Sequence, residues 1–138
     1  MKSLNRVIGF TLVEVMIVVA IVGILASVAY PSCVSHVTQS NRAEAQRELV
    51  RIANLQEQYF VDQRAYTANM TQLGLAADPY VTDTGNYHID ATLSDNNTKF
   101  TLTATAKGTQ LSNDSSCSSI TITETGKRSG SSAYCWEK

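Results

Sequence analysis

Hydrophobic and polar positions divide this chain into stretches of different period. Between Val7 and Asn41 the only charged residue is Glu14. Phe10 to Tyr30 is dominated by apolar side chains. As a helix that run measures about 31 Å, close to the ~30 Å hydrocarbon core of a bilayer. From Ser32 to Gln72 there is neither Gly nor Pro. Ala45, Leu49, Ile52, Ala53 and Tyr59, flanked by Leu55 and Phe60, follow a helical stripe. Glu44–Arg47 and Glu48–Arg51 are favourable pairs that offset the like-charged Glu44–Glu48 and Arg47–Arg51. The pattern predicts one helix from Phe10 to about Phe60, on the order of 75 Å long. That is too long for a small globular domain. A coiled coil fits poorly, because Ser35, Gln39, Asn41 and Gln56 interrupt the heptad.

Val61 to Gly85 reads as an irregular connection, with a turn at Leu73-Gly74-Leu75 and punctuation at Asp78-Pro79. The period then becomes two. Tyr87, Ile89, Ala91 and Leu93 alternate with polar residues, as do Phe100, Leu102, Ala104 and Ala106, and then Ile120 and Ile122. Ser94-Asp95-Asn96-Asn97 is a turn cluster that makes the first two runs a hairpin. The expected class is α+β, a long helix packed through its Ala45–Tyr59 face on an antiparallel sheet of three to four strands.

Charge and composition narrow the functions. Eleven Lys+Arg against twelve Asp+Glu give a net charge of −1, which argues against a strongly basic nucleic-acid binder. Lys2 and Arg6 precede the apolar run and place the N-terminus on the cytoplasmic side. A secretory signal peptide has the same layout, and Ala26-Ser27-Val28-Ala29 could serve as its cleavage site. The alternative cut, Gly9–Phe10, keeps the apolar run. Composition alone does not choose between them.

Glu14 needs its own account. A carboxylate in an apolar helix costs several kcal/mol unless it is paired or protonated, which makes it a functional candidate. Of the three cysteines, Cys117 and Cys135 flank a Ser/Gly/Thr-rich segment. A bridge closing that loop contributes roughly 3 kcal/mol and requires an oxidising compartment. Cys33 is then the odd one, expected as a buried free thiol; connectivity stays open. Catalytic and metal chemistry find little support. His36 and His88 lack partners at useful spacing, Cys33 and His36 alone make no metal site, and Gly126-Lys127 lacks the earlier glycine of a phosphate loop. No cofactor is expected.

Gly9-Phe10-Thr11-Leu12-Val13-Glu14, followed by an apolar helix with Gly23 and Pro31, resembles a type IV prepilin. The resemblance implies cleavage after Gly9 by a dedicated peptidase, which then N-methylates Phe10. It implies that Glu14 meets the Phe10 ammonium of a neighbouring subunit, and that the helix between Gly23 and Pro31 extends under load. Leu73-Gly74-Leu75, Tyr87, Phe100, Leu102, Gln110, Asp114, Cys117, Gly126-Lys127 and Cys135-Trp136 resemble Gram-negative minor pilins of twitching-motility pili. By that resemblance the chain has the pilin fold and a disulfide-closed, exposed loop at Cys117–Cys135.

The implied organisation is a cleaved leader at 1–9, a transmembrane and assembly helix at 10–31, and a periplasmic head at 32–138. The subunit would sit in the inner membrane in a single pass and then in the extracellular pilus, supporting pilus biogenesis, twitching motility and adhesion. Its partners would be other pilin subunits, inner-membrane lipid, the prepilin peptidase and the assembly machinery. Two alternatives stand beside it: a pseudopilin of type II secretion and a membrane-tethered DNA-uptake module. Losing Lys2 and Arg6 leaves 9 basic against 12 acidic residues, a net −3, so no nucleic acid is expected beyond clusters such as Lys127-Arg128.

Overall fold

A computed structural model describes residues 9–136. Lys2, Arg6 and most of the expected leader lie outside the described residues. One helix, α1, runs Leu12–Gln63 without a break at Gly23 or Pro31. By its contacts the chain forms two compact units, Met1–Val34 and Ser35–Lys138.

In the first unit every large apolar side chain described, from Phe10 through Val19 to Tyr30, is exposed. A soluble helix hides one stripe and wets the other. This one offers apolar surface all round, the character of a segment made for lipid or for packing among like helices.

The second unit holds the core. Its sheet has five antiparallel strands in the order β1 (Tyr80–Val81), β2 (Tyr87–Ser94), β3 (Lys99–Ala106), β4 (Ser119–Thr123) and β5 (Arg128–Gly130). The register sets Ile89 opposite Ala104, Ala91 opposite Leu102, and Leu102 opposite Ile122. With a side-chain period of two, these residues all reach the buried face. The β2–β3 turn places Asp95, Asn96 and Asn97 at positive φ (50°, 55° and 64°), a region that Asp and Asn tolerate because their short side chains bond locally. A short helix α2 (Gly108–Asn113) follows β3, and 3₁₀ turns lie at Met70–Leu73, Ser115–Cys117 and Ala133–Trp136.

The expected sheet of three to four strands is thus corrected to five. β1 and β5 have two and three residues, too few to display an alternating pattern. The buried stripe of α1 also differs from expectation. It comprises Thr38, Arg42, Ala45, Leu49, Ile52 and Gln56, spaced alternately by four and three. Ala53, Leu55 and Phe60 pack at the rim of the core, and Tyr59 is half-buried. Gln56, which interrupts the apolar heptad, is fully buried. Its amide donates to the Thr67 carbonyl (2.6 Å) and its carbonyl accepts from the Thr67 N–H (3.1 Å). Two backbone groups of the loop after α1 are satisfied by one side chain.

Candidate assembly sites

Thr11 and Glu14 close the start of α1. The Thr11 N–H and hydroxyl each donate to Glu14 Oε2 at 2.8 Å, and the Glu14 N–H donates to Thr11 Oγ1 at 3.2 Å. This is a reciprocal capping box, which satisfies amides that a helix terminus leaves orphaned. Phe10 is 85% exposed immediately before it. The structure therefore holds the carboxylate within about one turn of Phe10, oriented by its own chain and open to a neighbour. Gly23 has open space where a Cβ would stand, so no contact within this chain requires a glycine there. Pro31 sits inside α1, and Ser27 Oγ donates to the Ile24 carbonyl (2.7 Å) one turn earlier. Cys33 is free but exposed in the single chain, not buried as expected.

In the second unit Cys117 and Cys135 form a disulfide with a Cα–Cα distance of 5.5 Å, and both are fully buried. The segment it closes is more ordered than an exposed loop, since it contains β4 and β5. Gly130 lies hard against the bridge. A Cβ there would stand 2.9 Å from Cys135 Cβ and 3.1 Å from the Ser119 carbonyl, so only glycine fits. Gln46 of α1 donates to the Cys135 carbonyl at 2.8 Å, tying the C-terminal turn to the helix.

A buried polar cluster, which apolar periodicity could not reveal, joins α1 to α2. Arg42 makes a two-pronged pair with Asp114, Nη2–Oδ1 2.6 Å and Nε–Oδ2 3.0 Å. Gln110 donates to the Thr38 carbonyl, the Tyr87 hydroxyl and Asp114 Oδ2, and accepts from Asn41 (3.0 Å). Burial raises the Tyr87 hydroxyl above the ordinary tyrosine range. Tyr87, Gln110 and Asp114 carried a signal in the sequence, as part of the resemblance, while Thr38 and Arg42 carried none. Tyr66 packs between Phe60 and Phe100, with centroids 4.6 and 4.7 Å away, and donates to Glu57 at 2.9 Å. Burial and that carboxylate push its hydroxyl up to about 12.

Chemically these sites bind and pack. Among the described residues no group of His, Cys, Asp and Glu is arranged to hold a metal ion.

Comparison with known proteins finds similarity to pilin and fimbrial proteins. A family described as "Type IV minor pilin ComP, DNA uptake sequence receptor" matches residues 31–121. A prokaryotic N-terminal methylation motif matches residues 4–30. The fimbrial protein EcpC of Eikenella corrodens is 36% identical over 101 residues, covering 73% of this chain and 63% of that protein. The type II secretion system core protein G of Vibrio cholerae is 36% identical over 77 residues, 56% of this chain and 51% of that protein. The chain thus spans less than two thirds of the length of these curated relatives. A type IV pilin structure from Shewanella oneidensis superposes with a TM-score of 0.54 at 25% identity, covering 73% of this chain and 99% of that one.

Proposed function

The chain belongs to the type IV pilin family, and from that premise we propose that it is a minor subunit of a type IV pilus. Family membership makes it a structural, membrane-anchored filament subunit and not an enzyme. The minor role is supported by the description of the family matched by residues 31–121, and the processing and docking steps rest chiefly on one observation. The methylation motif covers residues 4–30, and within it the carboxylate of Glu14 stands exposed beside Phe10 on an apolar helix.

In this reading the peptidase cuts after Gly9 and methylates Phe10. The subunit waits in the inner membrane with residues 32–138 in the periplasm. Glu14 then receives the Phe10 ammonium of a neighbour as the subunit leaves lipid for the filament. Opposite charges attract strongly in a low-dielectric environment, and the capping bonds from Thr11 leave lone pairs on Glu14 for that partner. Gly23 and Pro31 give the helix its extensibility. Twitching motility and adhesion are the cellular outputs. Glu14→Ala tests the docking step. The variant chain should still be processed and inserted, yet be missing from sheared filaments; normal incorporation contradicts the assignment.

One observation favours a second reading. The family matched by residues 31–121 is described as a DNA uptake sequence receptor. A DNA-contacting role for this chain would draw on Arg47, Lys127 and Arg128, all exposed. Its mark is salt-dependent binding of duplex DNA by the full chain in detergent. The similarity to a secretion core protein supports a pseudopilin role less well, because the Cys117–Cys135 bridge accords with the pilus subgroup.

A further inference from the structure

The second unit carries its charges unevenly. From Gly108 to Thr123 the sole charged residue is Asp114, and it is buried against Arg42. What this stretch exposes is Thr109, Leu111, Ser112, Asn113, Ser115 and Ser116. These are hydroxyls and an amide around one apolar side chain. Leu111 is 43% exposed on α2, although the buried core of the same unit lies close by.

The buried polar cluster decides where that surface sits. Gln110 donates to the Thr38 carbonyl at 3.2 Å and accepts from Asn41, and Asp114 takes Arg42. α2 is therefore fixed to the stretch of α1 that directly follows the apolar run. Thr38 comes seven residues after Pro31, about 10 Å of helix. The Thr82–Gly85 turn, with Asp83 exposed, is tied to Glu44 through Thr84, about 9 Å farther along α1 than Thr38. The β2–β3 turn is fixed beyond the close of α1, where the Asn97 carbonyl accepts from the Tyr66 N–H. From Thr38 to Gln63 the helix rises about 38 Å.

The apolar run before Pro31 is long enough to cross a bilayer. Headgroups add about 5–8 Å beyond each side of the hydrocarbon core, and a helix with its side chains is about 10–12 Å across. A helix fixed at Thr38 thus reaches that layer with its free side. The composition suits the place. Hydroxyls and amides pair with phosphate and ester oxygens, and a half-exposed leucine gains by leaving water. Anionic lipid repels carboxylates, which this surface lacks, and attracts the exposed Lys107 just ahead of α2. We propose that the Lys107–Ser116 segment rests on the bilayer that holds the same chain's apolar helix, with Leu111 in the headgroup layer. This rests on the membrane-anchored reading and on no contact within a filament. The contact limits the tilt of the sheet before assembly, and freeing α2 becomes part of leaving the membrane.

Spin labels in the full-length chain test this. In a Cys33→Ser background, Leu111→Cys, Ser94→Cys and Leu25→Cys each carry one nitroxide in vesicles of phosphatidylethanolamine and phosphatidylglycerol. Collisions with oxygen, which concentrates in lipid, are compared with collisions with a nickel chelate, which stays in water. The oxygen-to-nickel ratio at position 111 should exceed that at position 94 about fivefold, the partition expected when half a leucine side chain leaves water. Equal ratios at 111 and 94, with a lipid-like ratio at 25, overturn the contact alone. A water-like ratio at position 25 defeats the membrane anchoring and the contact with it. Amide hydrogen exchange without labels gives a second measurement. In the same vesicles the α2 amides of Leu111→Asp should exchange about fivefold faster than those of the wild type, with β2 and β3 unchanged. In amphipol, which offers no headgroup layer, the two chains should match. Equal exchange in vesicles overturns the contact, and so does a difference that persists in amphipol, which marks a local effect on α2.

Discussion

Arg42 and Asp114, 72 residues apart in sequence, form a two-pronged ion pair in the buried seam between α1 and the segment after α2. A buried pair of this kind adds little over well-packed apolar residues, but losing one partner leaves a charge stranded. Asp114→Ala in the full chain should therefore cost about 3–5 kcal/mol. The double change Arg42→Met/Asp114→Leu should cost much less. Chemical denaturation in detergent reads both, and equal losses would show that the pair itself contributes the stability.

Gln56 makes a second, independent test. Gln56→Ala strips the Thr67 N–H and carbonyl of their common partner at a fully buried position. Each orphaned group costs about 1–3 kcal/mol. The loop after α1 should lose hydrogen-exchange protection before the sheet does. Unchanged protection at Thr67 would contradict its role as the loop's anchor.

Tyr66 sets an alkaline limit. Its hydroxyl is raised to about 12, so the folded state holds this proton more tightly than the unfolded chain does. A group raised on folding contributes its stability in full below the unfolded value, ~10 for tyrosine. That contribution is lost as pH rises from there through about 12. Tyr66→Phe should flatten the stability profile across this window. An identical alkaline decline in the variant would place the titrating group elsewhere.

The long helix and the strands β2, β3 and β4 were legible because each has enough residues to display its period. Ile89, Phe100, Leu102 and Ile120 reach the core as their alternation requires. Three things were not legible. β1 and β5 are too short to show a pattern, although they create the two edges. Thr38, Arg42 and Gln56 belong to the buried stripe, but a reading by apolar positions passes over polar side chains satisfied by residues such as Asp114 and Thr67. Cys33 was expected to be buried, and in one chain taken alone it is exposed. At the N-terminus the Gly9–Glu14 motif was plain in the sequence. What the structure adds is the bonding of Glu14 to Thr11.

In the proposed reading Phe10 begins a filament subunit. Surface filaments sheared from cells and analysed by mass spectrometry test it most directly. The expected product is a chain that starts at N-methylated Phe10 and retains the apolar helix. A chain starting after Ala29, or its absence from the filaments, would contradict it.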